Sequence, residues 1–440
     1  MRFECLAAVF LAAAAAACGS DRPPARAPAS SGSGASVRQQ PVTTPAESAR
    51  ASAERAGKRA TPPADTGAAA GNAAAPAPGR PAPIRHLATP DPVRGLYVNR
   101  LVAQGPEIWR LIDLARRTRV NALVFDVKDD AGLLLYPSTV GLAHLIGADT
   151  VRPMPVRRLY ALMDSLRKYR IYPIARIVVA RDPVLVAHRP QWAVVHRAND
   201  PERSAWLDPR HREVWAYAAD LASEAAARGF SEVMFDDAHF PVSNGASERV
   251  EFTSPDGRTL GEVIRAQLGF LQSRFSVLNI PMSVTVSGLA AVDSSDLGVG
   301  ERWEGVADRA DVLMPKEYPS AFPPGTFGLA NPNAQPYETV RQALADARRR
   351  NASIRGAARI VPWYQDFTLG APVYGPEQVR AQIRAGEEAG IRSWMLWNPA
   401  SVYSEASIQE PPVRHDSVKA KPRKPVTKRL SARPGGRSRR

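Results

Sequence analysis

Cysteine is almost absent from this chain of 440 residues: there are 2, Cys5 and Cys18, both close to the N-terminus. Everything beyond Cys18 therefore has no disulfide and no cysteine metal site, and a folded domain there must rest on its core alone. Long apolar runs are also missing. Residues 6–17 form the one sizeable stretch, and it is too short to cross a bilayer as a permanent helix. No Gly-x-Gly-x-x-Gly opens the first strand–helix unit and no phosphate-binding P-loop occurs, which argues against nucleotide-binding folds. Large apolar side chains are nearly lacking from Cys18 to Thr89, where Ala, Pro, Ser, Gly and Arg dominate. Such a segment cannot bury enough surface to offset its ordering entropy, so a disordered linker is expected.

Excess charge is lacking in the middle of the chain. The formal net charge is +15, yet residues 413–440 hold 11 basic and 1 acidic side chains, and residues 19–90 hold 9 basic and 4 acidic. These two segments account for essentially the whole excess, which leaves the middle near neutral. The high isoelectric point therefore implies no specific nucleic-acid partner. It implies tails that can touch anionic wall polymers or lipid headgroups. At the other end, Arg2 and the apolar run lead to Ala15-Ala16-Ala17-Cys18-Gly19-Ser20. This resembles a bacterial lipobox with Cys18 as the lipidated residue, and plain cleavage at an Ala-x-Ala site is the alternative. The expected organisation is a signal peptide over 1–18, a linker over 19–89, a folded domain over 90–412 and a disordered basic tail over 413–440.

The folded region alternates strand and helix patterns. Short, continuously apolar runs sit at 94–98, 122–128, 172–179, 233–235, 282–286, 311–314, 359–363 and 393–397, most of them followed by an amphipathic helical pattern. Asp208 is a candidate N-cap with Pro209 in the first turn, and Gly229 is a helix stop. Buried apolar strands alternating with helices predict a parallel sheet covered on both sides. Eight such units predict an α/β fold of the closed (β/α)₈ TIM-barrel type.

In such a barrel the functional rim lies at the C-terminal ends of the strands. The polar residues there are Asp126 and Lys128 after strand two, Arg176 in strand three, and Asp236, Asp237 and His239 after strand four. Lys316, Glu317 and Tyr318 follow strand six; Trp363, Tyr364, Gln365 and Asp366 follow strand seven; Trp397 and Asn398 end strand eight. Cleavage of a glycosidic bond needs two carboxyl groups with separated pKa values, and aromatic rings stack on sugar faces. Each residue has a structural reading beside the functional one. Asp129 and Asp130 can start a turn before Gly132, Arg176 can be a counter-charge, and Trp363 and Trp397 can be core. Asp366 can cap or pair locally, and His239 can be a satisfied hydrogen-bonding residue.

These runs resemble a bacterial family known as the putative glycoside hydrolase domain, long catalogued as a domain of unknown function and related in fold to retaining barrel glycosidases. The likeness rests on Arg94-Gly95-Leu96-Tyr97-Val98, Asn121 to Asp130 with Tyr136-Pro137-Ser138, Tyr172 to Val179, and Trp206-Leu207-Asp208-Pro209. It continues through Phe235-Asp236, Phe240-Pro241, Tyr318-Pro319-Ser320, Trp363 to Phe367, Tyr374 to Glu377 and Leu396-Trp397-Asn398-Pro399. The resemblance implies a TIM-barrel hydrolase-like domain. Against the family pattern, Asp237 replaces a Tyr, His239 replaces an Arg, Thr285 stands where strand five tends to carry an acid, and Glu317 replaces an apolar residue.

The resulting expectation is an exported, lipid-anchored, monomeric glycoside hydrolase without cofactor, acting on a cell-envelope or extracellular polysaccharide. Asp236 is expected as nucleophile or charge stabiliser, Glu317 as acid/base and Asp237 as reserve. Asp126, Lys128, Arg176, His239, Tyr318, Trp363, Gln365, Asp366, Trp397 and Asn398 are expected to bind substrate. The alternatives are a non-catalytic glycan-binding or scaffold barrel that has lost its second acid, and a metal-dependent hydrolase using Asp126, Asp236, Asp237 and His239.

Overall fold

The computed structural model describes residues 86–194, 205–242 and 256–409. The expected signal peptide with Cys18, the linker up to residue 85 and the basic tail lie outside them. All strands are parallel and run in chain order around a closed barrel: β1 Arg94–Val98, β2 Ala122–Lys128, β3 Tyr172–Val178, β4 Glu232–Asp236, β5 Met282–Ser287 and β6 Val312–Glu317. The next strand, β7, is in two pieces, Arg359–Ile360 and Trp363–Gln365, and β8 is Trp394–Trp397. Closure comes from the β8–β1 ladder, where Leu96 opposes Leu396. The break in β7 has a local cause. Val361 still donates to Leu313, but Pro362 has no N–H to continue the ladder.

Strand alternation divides the core into two layers. Tyr97, Val124, Ile174, Met234, Met314 and Trp363 fill the barrel interior. Leu96, Phe125, Val233, Phe235, Leu313 and Tyr364 face the surrounding helices. Each strand therefore needs apolar residues at every position, which is why these runs lack the alternation of a half-exposed sheet. The helices use ordinary signals. Gly229, at φ 108°, follows the helix Arg212–Ala227 in a conformation that favours glycine. Thr259 forms a capping box with Glu262 at the start of helix Leu260–Phe275.

Two local expectations change. Asp208 is not an N-cap: the helix starts at Arg212, and the Asp208 carboxylate instead binds the backbone and guanidinium of Arg210. Strand β6 continues past Met314 to Glu317, which brings Lys316 and Glu317 under the alternation rule.

Candidate active site at the C-terminal rim

Strand β4 points Met234 and Asp236 into the barrel, so the Asp236 carboxyl stands on top of the interior apolar layer. An ion buried there needs partners. Arg176 from β3 supplies them twice: Nε donates to Asp236 Oδ2 at 2.6 Å and Nη1 to Asp126 Oδ1 at 2.6 Å. Lys316 from β6 places Nζ 2.7 Å from Asp236 and 3.0 Å from Asp237. Thr285 from β5 donates its hydroxyl to Asp236, and the Asp237 N–H donates to the same Asp236 oxygen at 2.9 Å. On the other side, the Tyr97 hydroxyl donates to Asp126 at 2.5 Å. The Tyr97 ring stacks on Trp397 with centroids 3.9 Å apart, and the Arg176 guanidinium lies 5.0 Å from the Trp397 ring.

Solvent reaches this cluster from one side. Asp126 and Asp236 are each only 2% exposed, whereas the side chains of Asp237 and Lys316 are 18% and 26% exposed. Asp237 is also the one cluster residue with positive φ, 47°, a sparsely populated region for a residue with a side chain. The carboxyl groups are electrostatically unequal. Burial raises Asp126 to about 6 against the pull of Arg176 and Tyr97. Burial also pushes Asp236 and Asp237 up, but Lys316 and the other cations outweigh it and hold both below the ordinary range, Asp237 well below. Those two carboxylates raise Lys316 despite its burial. Tyr318 is buried beside the same charges, edge-on to Phe367 at 5.7 Å.

The other nominated residues lie elsewhere. Glu317, outward by alternation from Lys316, is fully buried in the wall between barrel and helices. Among the described residues neither of its carboxylate oxygens has a hydrogen-bond partner. It does not face Asp236 and forms no acid pair with it. Lys128 is buried and paired with Asp182 at 2.9 Å, with Nζ also donating to Val178 O. It ties the end of β2 to the segment after β3. Trp363 is interior core beneath Trp397, 5.7 Å edge-on. Gln365 accepts from the Ser320 N–H and donates to Phe367 O, and Asn398 bridges Asp366 O and the Ala400 N–H. Both are loop braces. Asp366 is partly buried, which raises it to about 6, and its Oδ2 has no partner among the described residues. Asp129 starts a turn by accepting from Ala131 and Leu133 N–H groups and pairs with Arg100, while Asp130 pairs with Arg181. As for the metal alternative, Arg176 and Lys316 stand between Asp126, Asp236 and Asp237. No group of His, Cys, Asp or Glu among the described residues is gathered as a ligand set.

Tyr97, which was not nominated, and Lys316, placed at the rim but given no role, complete the cluster. Tyr97 reads as one more apolar-strand residue until alternation turns it inward beside Asp126. Lys316 reads as a loop residue if β6 is ended at Met314. Hollows of 580 Å³ beside the start of helix Leu260–Phe275 and of 600 Å³ under the N-terminal ends of the strands are lined by other residues. Segments 195–204 and 243–255, which follow β3 and β4 in the chain, lie outside the described residues.

The chain is similar to several known structures. The glycoside hydrolase domain of PgaB (BpsB) from Bordetella bronchiseptica matches with a TM-score of 0.52 at 14% identity, covering 72% of this chain and 99% of that one, a likeness of fold. A hypothetical protein from Ruminiclostridium thermocellum is 27% identical over 46% of this chain and 98% of its own, with a TM-score of 0.38. An exo-β-N-acetylglucosaminidase from Vibrio harveyi aligns at 14% identity and a TM-score of 0.46 over 73% of this chain and 55% of that one. No curated protein matches the chain. The family model described as "Putative glycosyl hydrolase domain" matches residues 95–403, nearly the whole barrel, and the chain belongs to that family.

Proposed function

We propose that this protein is a glycoside hydrolase acting on a cell-envelope or extracellular polysaccharide, exported and anchored by a lipid on Cys18. The observation that carries the reading is the rim cluster itself. Carboxyl groups with opposed tendencies, Asp126 pushed up and Asp237 held down, stand in one cluster with the partly buried ring of Trp397. Separated carboxyl pKa values suit proton transfer to and from a glycosidic oxygen, and a ring floor suits a sugar face. In this reading Asp237, the carboxylate open to solvent, is the base or nucleophile. Asp236 stabilises developing positive charge, and Asp126 with Tyr97 holds the exchangeable proton. The glycosidase-type barrel and the family membership support the class of substrate. The lipobox-like residues before Cys18 and the linker after it support export and anchoring.

A second reading has its own observation. Thr285 occupies the position where an acid is expected on β5, and Arg176 and Lys316 neutralise Asp126 and Asp236. That arrangement suits a barrel that binds glycans without cleaving them. Incubation with a broad panel of envelope and extracellular polysaccharides, read by reducing-end release, separates the two. Hydrolysis should be present in the wild type and fall by about a hundredfold or more in Asp237→Asn. Binding without release by the wild type would establish the second reading and sink the first.

A further inference from the structure

Charges at the rim alternate in sign. Asp126, Arg176, Asp236, Lys316 and Asp237 follow one another through contacts of 2.6, 2.6, 2.7 and 3.0 Å. Two of these carboxylates are adjacent in sequence. The left-handed φ of Asp237 brings the second beside the first, and the turn is held by its N–H on Asp236 and its carbonyl accepting from Ala180 at 3.1 Å. Like charges so close repel, and Lys316 is shared between them. The series sets three carboxylates against two cations, so a further cation would balance it.

His239 continues the series. Its Nε2 lies 3.7 Å from Asp237 Oδ1, and its Nδ1 is 2.6 Å from the Phe240 carbonyl, an acceptor that requires a proton on Nδ1. The Trp206 ring covers the imidazole at 5.3 Å. Glu301, buried and accepting from the Ser287 N–H, faces it electrostatically from beyond β5. With Nδ1 committed to the carbonyl, Nε2 is the nitrogen that meets the carboxylates.

We propose that His239 is the positioning residue of Asp237: as an imidazolium it joins Lys316 in holding that carboxylate ionised and fixed at the open side of the rim. Asp237 is the carboxylate beside the ring, and Glu301 acts on it through its charge. Lys316 Nζ meets the same Asp237 oxygen at 3.0 Å, so ammonium and imidazolium share it; Arg176 pairs with Asp126 and Asp236, and Trp206 brings no charge. Burial pulls the imidazole down, but Glu301 and Asp237 together raise it to about 9.

The kinetic part of the inference rests on the role proposed for Asp237; the electrostatic part does not. Imidazole NMR titration of the full chain from pH 6 to pH 11 should place the His239 midpoint near 9. The midpoint should fall by about one unit or more in Asp237→Asn and, independently, in Glu301→Gln. A wild-type midpoint at the ordinary histidine value, or one unmoved in both variants, overturns the proposal. With a glycan that the wild type cleaves, His239→Gln should lower kcat/KM by up to about a hundredfold. The wild-type kcat/KM should fall as pH rises through about 9; His239→Arg should restore activity and abolish that fall, and an unchanged fall in His239→Arg also overturns the proposal. If the NMR shifts appear and no glycan is cleaved, the charge coupling stands and the hydrolase reading falls.

Discussion

Glu317 and His239 show how opposite causes, burial in one and carboxylate partners in the other, raise the proton affinity of single side chains. Burial raises Glu317 well above the ordinary glutamate range, with no hydrogen bond to offset it. Its folded-state proton affinity exceeds the unfolded one, so its contribution to stability is present below the unfolded value of about 4.3 and is lost as pH rises through the folded value. At neutral pH it is a cost. Glu317→Met should stabilise the protein by about 1–3 kcal/mol near pH 8 and flatten the dependence of stability on pH. Urea unfolding at pH 5 and pH 8 measures this, and identical slopes for both proteins would contradict it. His239 is also raised, but by carboxylate partners. Its contribution is complete below the unfolded value of about 6.5 and disappears as pH rises through about 9. Arg176 is the converse case, a buried cation serving Asp126 and Asp236 at once. Arg176→Met strands both carboxyls and should cost about 3–5 kcal/mol in the same urea assay. A loss below about 1 kcal/mol would mean that water or Lys316 compensates.

At the scale of elements, β6 and the segment after β5 are fitted to each other at the site. A Cβ on Gly288 would stand 2.6 Å from the Lys316 carbonyl and 3.0 Å from Glu317 Oε2. Backbone cannot yield there cheaply, so Gly288→Ala should destabilise by about 1–3 kcal/mol and shift Lys316 away from Asp237. Calorimetry tests the first effect, and the His239 titration reports the second. The capping box of helix Leu260–Phe275 is exposed and far simpler. Thr259→Ala should cost about 1 kcal/mol and leave glycan binding untouched. The interrupted β7 reads differently in sequence and structure for a plain reason. Residues 359–363 form one apolar run, but hydrogen bonding breaks at Pro362, and the second piece extends to Gln365.

At the scale of the molecule, the described core is contained in residues 86–409, while the excess positive charge lies before and after it. Leu87 donates its N–H to Ser231 and packs on the interior layer, and Thr89 bonds to Tyr172, so the domain begins by residue 86. A chain of residues 86–409 should melt cooperatively within a few degrees of the full chain, as circular dichroism would show. A broad or much lower transition would mean that the flanking segments contribute to the fold. Losing the flanks should also weaken adsorption to anionic surfaces, because the barrel itself is near neutral.

Most of the barrel was legible because its signals are local. Apolar runs of strand length, amphipathic helices between them and glycine stops require no knowledge of distant residues, and their eightfold repetition implies closure. The same rule placed Asp126, Arg176, Asp236, Asp237, His239 and Trp397 at one end of the barrel, since strand order and polarity suffice for that. Which of them meet was decided only by tertiary structure. Because β6 runs on to Glu317, alternation from the inward Met314 turns Lys316 in and Glu317 out, and a slip of one residue in register would reverse them. Lys128 was drawn to Asp182 because a buried ammonium takes the carboxylate within reach. Tyr97 became part of the site because strand alternation and the Trp397 ring turned its hydroxyl toward Asp126. Composition and period settle the architecture. The alternating charges of the rim depend on contacts between residues 50 to 80 apart in the chain, which no local pattern encodes.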